Sequence, residues 1–242
     1  MINVSALQEK NKDTYAQLAK NTVRAEAQLK ETECVRFHSS NGTGIRVMFV
    51  GNSITLHGVL PSIGWHSEWG MAASEKEKDY VHLLEADIKK IDPEAAFCIC
   101  QVAGWECDYK NGREKFSLYN EARNFCADVI ILRFIDNVKK SDYDSEIFLR
   151  ELDMLVKHLD GTGKAKCIIT TGFWKHPGDD DICMYARKKG IPCVELGDLG
   201  ENDRMKAIGL FEHSGVANHP GDEGMRAIAD RIMEVVHKQT LL

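Results

Sequence analysis

The sequence predicts an α/β fold, a three-layer α/β/α sandwich around a five-stranded parallel sheet. Short apolar segments that suit buried strands alternate five times with longer segments that suit amphipathic helices. This alternation is typical of parallel sheets, because each helical crossover carries the chain back to the start of the next strand. The 242 residues, 43% of them hydrophobic, can bury the core of one large domain, and they contain no internal repeat.

The strands are predicted where apolar residues run almost without interruption, as in strands that are buried on both faces. These segments are 45–50, 95–102, 129–132, 166–171 and 191–195. In the predicted helices, apolar residues instead recur every three to four positions and form one apolar face. These segments are 78–91, 115–126, 144–160, 180–189 and 221–238.

The first 44 residues differ in character from the rest of the chain. Apolar residues are scattered among many charges over residues 1–36, which predicts one or two surface helices. The turn-forming segment 39–44, rich in serine and glycine, separates them from the first strand. We therefore divide the chain into a helical appendage, 1–44, and an α/β/α domain, 45–242. The appendage either packs on the domain or serves as a dimerisation arm, so the sequence allows an oligomer.

Charge and hydropathy narrow the range of partners. The formal net charge is -6, with acidic and basic residues interspersed and no basic stripe that could follow a phosphate backbone. No apolar run is long enough to span a bilayer, and the first residues lack the apolar core of a signal peptide. The sequence thus predicts a cytoplasmic protein that binds neither nucleic acid nor membranes.

Eight cysteines are present, and most lie in or beside the predicted strands and helices. Those in apolar segments are Cys98, Cys100, Cys126, Cys167, Cys183 and Cys193. A free cysteine packs like a small hydrophobic residue, so we expect buried thiols at these positions. The chain has no Cys-x-x-Cys pair, and this usage is typical of a reducing compartment.

Three polar residues are expected at one edge of the predicted sheet. Ser53 comes directly after the first strand, Asn137 follows the third, and His219 opens the last helix. Ligands of open α/β sheets bind outside the carboxyl ends of the strands. A neutral histidine can take the proton of a serine hydroxyl, and an asparagine amide can donate a hydrogen bond to an oxyanion. The three residues therefore indicate a nucleophile, its base and an oxyanion donor, with a backbone N–H of the loop 102–106 as a second donor.

Each of these residues also has an ordinary structural role. Serine caps helices and asparagine occupies turns, and for Ser53 or Asn137 taken alone that interpretation is favoured. His219, which precedes Pro220, could simply begin a helix. Their occurrence together at one edge favours the catalytic interpretation.

The loops at this edge also contain three tryptophans, Trp65, Trp69 and Trp105. Aromatic faces suit stacking on sugar rings, although tryptophans more often pack in the interior. They are the candidate substrate-binding residues.

Two sets of polar side chains are candidates for metal sites. They are His57 with His66 and Glu68, and His176 with the aspartates 179–181. Neither set has the spacing of zinc ligands, and its absence favours the interpretation that these residues lie in solvated loops. The sequence predicts no metal and no organic cofactor.

The motifs around the serine and the histidine resemble those of the SGNH (GDSL-like) hydrolase superfamily. The first block of that family, Gly-Asp-Ser-Leu, is similar to residues 51–54, Gly-Asn-Ser-Ile, in which asparagine replaces the aspartate. The His-Pro of its last block is matched by His219 and Pro220. The resemblance spans residues 45–238.

The two middle blocks match more loosely. The glycine of the second block corresponds to Gly104, while Glu106 stands at a similar offset from the strand. The asparagine of the third block corresponds to Asn137, with Ile135 where the family usually has a glycine. The family also carries an aspartate three residues before its histidine, and this chain has Val216 there. Either a backbone carbonyl of residues 215–217 or a carboxylate such as Glu212 must then orient the imidazole.

The resemblance implies a flavodoxin-like strand order and the activity of a serine esterase, an acylhydrolase. The expected substrate is a small-molecule acyl ester, such as an acetylated sugar that is deacetylated. In that scheme Ser53 attacks, His219 transfers the proton, and Asn137 with the N–H groups of Ser53 and Gly104 holds the oxyanion. The alternative is a non-catalytic protein of the same fold that binds a carbohydrate or an anion, which the valine at position 216 favours.

Overall fold

The central element of the computed structural model, which describes residues 31–39 and 43–238, is a six-stranded sheet. Its strands are β1 (Val35–Ser39), β2 (Arg46–Gly51), β3 (Ala96–Gln101), β4 (Val129–Arg133), β5 (Lys166–Thr170) and β6 (Cys193–Val194). They lie in the order β1-β3-β2-β4-β5-β6, and all neighbours are parallel except β1 and β3. The predicted five-stranded parallel sheet is thus confirmed, in the flavodoxin-like order, with one further antiparallel strand at its edge.

Helices cover both faces of this sheet. The described α-helices are α1 (Tyr80–Lys89), α2 (Ala103–Cys107), α3 (Asn120–Asn124), α4 (Ser145–Leu159), α5 (Asp179–Lys189), α6 (Ser214–Ala217) and α7 (Asp222–Lys238). Short 3-10 helices occupy Pro61–Ile63, Lys76–Lys78, Tyr109–Tyr119, Lys140–Asp142, Leu199–Glu201 and Asp203–Met205. One apolar core lies between the sheet and helices α1 and α7, and a second lies between the sheet and helices α4 and α5. The three-layer α/β/α sandwich is therefore confirmed.

Strand β2 shows why the apolar runs in the sequence are nearly continuous. Val47 and Phe49 point into the core under α1 and α7, whereas Met48 and Val50 point into the opposite core. All four side chains are fully buried, as in a central parallel strand with both faces covered.

The chain before β2 contributes a strand to the sheet. Residues 35–39 pair antiparallel with β3, from Val35 opposite Cys100 to Ser39 opposite Ala96. Val35 and Phe37 are buried while Arg36 and His38 are half-exposed, which is the period of two of an edge strand. This part of the first 44 residues therefore belongs to the sheet. The helices predicted over residues 1–36 fall mostly on residues 1–30, outside the described residues.

Two local expectations were wrong. The helix predicted near 115–126 is a 3-10 helix that ends at Tyr119, followed by the short α3. Cys183 of α5 and Cys193 of β6, expected as free thiols, form a disulfide with their Cα atoms 5.6 Å apart. Cys98, Cys100, Cys126 and Cys167 are free, and the first three are buried.

None of the helices in the described part of the chain is both long and apolar enough to cross a bilayer.

The carboxyl end of β2 requires glycine. Gly51 lies opposite Gln101 of β3 and Arg133 of β4. A Cβ atom added at Gly51 would meet the Thr55 side chain and lie 2.6 Å from the carbonyl oxygen of Arg133. Glycine at position 51 therefore allows the backbones of β2 and β4 to lie close together where the chain leaves the sheet toward Ser53.

Replacing Gly51 by alanine should destabilise the protein by about 1–3 kcal/mol or more, because the added methyl group overlaps backbone that cannot move freely. Gly58→Ala is the matched control, since open space surrounds its Cβ position and its effect should stay within about 0.5 kcal/mol. Urea unfolding of both variants measures the difference. Equal stability of the two variants would contradict the packing argument.

Candidate active site

Ser53 lies in the turn that follows β2. The N–H groups of Thr55 and Leu56 both donate to the Asn52 carbonyl, at 2.9 and 3.0 Å, and the Met71 N–H donates to the Ser53 carbonyl at 2.8 Å. No α-helix begins here within the described residues, so the hydroxyl does not serve as a helix cap. It is half-buried and directed at a side chain from the far end of the chain.

That side chain is His219, whose Nε2 lies 2.8 Å from the Ser53 Oγ. Its Nδ1 lies 2.7 Å from the carbonyl oxygen of Gly215. A carbonyl can only accept, so Nδ1 carries the proton and Nε2 offers its lone pair to the hydroxyl. Of the two alternatives for the group that orients the imidazole, the structure shows the backbone carbonyl, that of Gly215.

The carboxylate alternatives do not take this place. Glu212 is exposed, and Val216, at the position of the expected aspartate, is buried in α6. The carboxylate of Asp222 instead accepts hydrogen bonds from the N–H and hydroxyl of Ser74, at 2.8 and 2.7 Å. Ser53 and His219 therefore form a dyad, in which the Gly215 carbonyl, and no carboxylate, orients the imidazole.

Burial of the imidazole lowers the pKa of His219 to about 4, although the Gly215 hydrogen bond and the charge of Asp136 act in the opposite direction. The indole of Trp174 packs edge-on against the imidazole, with ring centroids 5.2 Å apart. His219 is consequently neutral at pH 7, the form that a general base requires.

Asn137, the candidate oxyanion donor, is held by a buried carboxyl group. Its Nδ2 donates to Glu106 Oε2 at 2.7 Å. Glu106 is fully buried and also accepts from Asn52 Nδ2, at 3.1 Å, and from the Ile135 N–H. Because an amide nitrogen carries two hydrogens, the Glu106 contact leaves the second N–H of Asn137 for a ligand. Burial, and then the charge of Asp136, raises the pKa of Glu106 to about 7.

A buried ion pair belongs to the same hydrogen-bond network as Glu106 and Asn52. Arg133 Nη1 lies 2.9 Å from Asp136 Oδ2, and both side chains are almost wholly inaccessible to solvent. Arg133 also donates to Asn52 Oδ1, and Asp136 Oδ1 accepts from the Phe173 N–H at 2.8 Å. The network thus joins the loops after β2, β3, β4 and β5. The pairing matters because a buried charge without a partner would destabilise the folded protein.

The second predicted oxyanion donor lies in the loop after β3. Gly104 is exposed in the first turn of α2, and open space surrounds its Cβ position. Over residues 31–39 and 43–238, neither its N–H nor that of Ser53 donates to a protein acceptor. Since Gly51 pairs with Gln101 on one side and Arg133 on the other, these N–H groups and Asn137 follow adjacent strand ends.

Two of the three candidate tryptophans cannot stack on a ligand. Trp105 is fully buried against Phe134 and Phe148, and only 2% of Trp65 is exposed. Both fill the interior because a buried indole gains more from packing than an exposed one. Trp69 is half-buried and donates its Nε1–H to the Ala73 carbonyl at 3.0 Å.

Sequence reasoning missed Trp174, which is half-buried and contacts His219. It follows the predicted strand 166–171 within a few residues, so the strand-end argument applied to Ser53 and Asn137 would have found it. Arg133 and Asp136 were missed as well, and Asn52 was identified only as a replacement for aspartate. A charged residue at the end of an apolar strand, as at Arg133, was the available signal.

No protein-family model and no curated protein sequence matches this chain. Solved structures do match it. The psychrotrophic esterase EstA from Pseudoalteromonas sp. is 11% identical, with a TM-score of 0.53 over 81% of this chain and 99% of that one. A two-domain esterase (CEX) active on acetylated mannans is 20% identical, with a TM-score of 0.50 over 80% of this chain and 50% of that one. A lipolytic protein of the G-D-S-L family from Veillonella parvula is 14% identical, with a TM-score of 0.49 over 79% of this chain and 98% of that one.

The chain has the SGNH/GDSL-like hydrolase fold. At these identities the likeness concerns the fold alone. The chain spans about half of the acetylmannan esterase and nearly all of EstA.

Within the SGNH/GDSL-like fold, asparagine in place of aspartate beside the serine has a physical reason. The Nδ2 of Asn52 donates to Glu106 and to Asp136, at 3.1 Å in each case. An aspartate at this position would put a third carboxylate against two others and could donate to neither. An asparagine at position 52 therefore suits a site that contains both Glu106 and Asp136.

Ile135 occupies the position where this fold family usually has glycine. Its φ angle is +97°, in the left-handed region that β-branched residues rarely adopt. Its N–H donates to Glu106 and its side chain is fully buried, so the surrounding contacts hold a strained backbone. Isoleucine here preserves the conformation suited to glycine.

The imidazole of His219 should titrate with a midpoint near pH 4, because burial disfavours the imidazolium. Its ¹⁵N chemical shifts, followed from pH 8 to about pH 3, should show the neutral tautomer protonated at Nδ1 over most of that range. Assignment by comparison with His219→Gln identifies the resonance. A midpoint at or above that of a free histidine, about 6.5, would contradict the buried neutral base.

Proposed function

We propose that this chain is a serine esterase that removes a small acyl group, acetyl above all, from a carbohydrate or a similar polar substrate. The observation that carries the proposal is the Ser53 Oγ to His219 Nε2 contact of 2.8 Å, backed by the Nδ1 contact to Gly215. A hydroxyl hydrogen-bonded to an oriented neutral imidazole is the arrangement of an activated nucleophile.

The reaction follows from these positions. His219 takes the Ser53 proton as Oγ attacks the carbonyl carbon of the ester, and the carbonyl oxygen becomes an oxyanion. The Ser53 N–H, an N–H at Gly104 and the second N–H of Asn137 donate to that oxygen. His219 then gives its proton to the departing alcohol, which leaves an acyl-serine. Water, deprotonated by the same imidazole, attacks the acyl-serine, and His219 returns the proton to Ser53 Oγ as the carboxylic acid leaves.

The dyad lacks a carboxylate in contact with the imidazolium that forms during attack. The Gly215 carbonyl fixes the tautomer, and the buried Asp136 charge favours the protonated ring. Arg133, which is paired with Asp136, offsets part of that charge. We therefore expect His219 to be a weak base that is almost fully available at neutral pH.

The polar substrate class is supported by the surroundings of the dyad and by one structural neighbour. That neighbour is active on acetylated mannans, and it shares the fold of this chain. Trp174, beside His219, offers a half-buried aromatic side chain in place of the two buried tryptophans. A screen of acetylated sugars for released acetate would identify the substrate.

The alternative is a protein of this fold that binds a carbohydrate or an anion without turnover. Val216 at the position of the orienting aspartate favours it. Rapid mixing with p-nitrophenyl acetate separates the two, because a binding protein releases no burst of nitrophenol.

Ser53→Ala should abolish ester hydrolysis while the far-ultraviolet circular dichroism and the unfolding midpoint stay unchanged, because the side chain is half-buried and outside the core. A fluorophosphonate probe should label the wild type at Ser53 alone. Phosphonate chemistry is apt, since the neighbour EstA was crystallised inhibited by monoethylphosphonate. Ser62→Ala, an exposed serine, is the control and should be labelled like the wild type. Full activity of Ser53→Ala, or labelling at another serine, refutes the proposal.

Asn137→Ala should lower kcat by about 100-fold or more with little change in KM, since the amide acts chiefly on the developing oxyanion. Asn111→Ala, at an exposed asparagine, serves as the control and should leave both constants unchanged. Steady-state kinetics with a soluble acetyl ester measures both. A loss confined to KM would assign Asn137 to substrate binding instead.

A further inference from the structure

A second group of polar side chains lies away from the serine, between the edge strand and α1. His38 comes from β1, while His82 and Glu85 are three residues apart on α1 and therefore share one face of the helix. Ligating atoms of these three side chains all lie within 4.8 Å of one another. The two imidazole centroids are 5.3 Å apart. The proposed hydrolysis uses none of the three residues.

The spacing is close to that of a metal site. His38 Nδ1 and Glu85 Oε1 are 2.9 Å apart. Two ligand atoms on a tetrahedral zinc ion, with bonds of about 2.0–2.1 Å, are about 3.3 Å apart. A metal ion could therefore replace the proton between this nitrogen and oxygen with a small movement of the side chains.

His82 supplies the observation that points to a ligand. Its Nδ1 lies 2.8 Å from the carboxylate of Asp79, which is fully buried, so Nδ1 carries the proton. Nε2 is then left with its lone pair, and this atom is buried without a hydrogen-bond partner in the part of the chain that the structure describes. A carboxylate on the far nitrogen of a ligating histidine is the usual second layer of a zinc site.

Asp79 is itself held in place. Its Oδ2 accepts from the Gly70 N–H at 2.9 Å, and its Oδ1 also accepts from the His82 N–H at 2.8 Å, where Asp79 caps α1. The orientation of the imidazole therefore does not depend on an ion, and the site is largely pre-formed.

The group also has room and access. A cavity of about 220 Å³ is lined by His38 and His82. Its charged lining residues are Glu31, Glu68, Arg36 and Lys76, which balance one another. The side chain of Glu85 is 8% exposed and that of His38 27% exposed, so an ion can enter from the His38 side.

We propose that His38, His82 and Glu85 bind one divalent transition-metal ion of the zinc class, with water as the fourth ligand. Two imidazoles and one carboxylate favour zinc or cobalt over magnesium or calcium, which prefer sites made only of oxygen. On binding, the ion takes the place of the hydrogen bond between His38 and Glu85, and the one proton of the neutral His38 ring stands on Nε2, so that Nδ1 can ligate. The ion joins β1 to α1 and so stabilises the edge of the sheet, independently of any esterase activity.

Titration of the full chain with Co²⁺ tests the proposal. The wild type should bind one ion with the visible absorption bands of four-coordinate cobalt and without the near-ultraviolet charge-transfer band of a thiolate ligand. Zn²⁺ should displace the cobalt and raise the Tm, because it binds the folded state. The double variant His38→Ala/His82→Ala should lose both effects. His237→Ala, which removes one exposed histidine of α7, should retain them.

Asp79→Asn adds a graded measurement, because asparagine still caps the helix but holds the His82 ring less firmly. It should weaken cobalt binding by about 10- to 100-fold. Glu85→Gln, which keeps the shape of the side chain, is the safeguard if the histidine variants fail to fold. Absence of cobalt binding by the wild type, a thiolate band, or unchanged binding in Glu85→Gln would each overturn the proposal.

Discussion

The pairing of β2 with two strands at once is the constraint on which the rest of the site depends. Gly51 lies level with Gln101 and Arg133, and its carbonyl accepts from the Val102 N–H at 2.6 Å. Because three parallel strands end at the same height, short loops suffice to gather a hydroxyl, backbone N–H groups and a carboxamide. The histidine arrives 166 residues after the serine, so only the assembled sheet brings the two together.

One buried carboxyl group then holds together the polar side chains next to Ser53. Glu106 accepts hydrogen bonds from Asn52, Ile135 and Asn137, which belong to loops after two different strands. Burial raises its pKa to about 7, and Asn52 links the group to the buried Arg133–Asp136 ion pair. The orientation of Asn137, the candidate oxyanion donor, thus rests on a fully buried residue. Such networks are costly when one member is removed, because the others stay buried without partners.

The sequence allowed the parallel strands, the flanking helices and the Ser53–His219 pair to be predicted, since each depends on local pattern or on strand ends. The period of two over residues 35–38 was hidden by the charged sequence before it, so β1 was missed. The local sequence around Trp105 and Trp65 does not differ from that of exposed loop tryptophans, and only tertiary packing buries them. Glu106 stood out in the sequence only by its distance from the end of the predicted strand. Its contacts with Asn137 and Ile135 could not be predicted, because they join segments that are distant in the sequence. The Cys183–Cys193 disulfide was missed for the same reason, because it depends on how α5 returns to β6.

The two borders of the sheet have a consequence for self-association. Unpaired strand edges can recruit another chain through their free backbone groups. At one border, β6 is only two residues long and is tied to α5 by the disulfide, which leaves little template for a further strand. At the other border, β1 carries Arg36 and His38 between its buried residues, and the Arg36 guanidinium turns back onto the Thr32 and Val35 carbonyls. In the sheet formed by the described residues, a short edge and a charged edge both oppose open-ended growth, so the architecture that gathers the loops of the candidate site also disfavours polymerisation through the backbone.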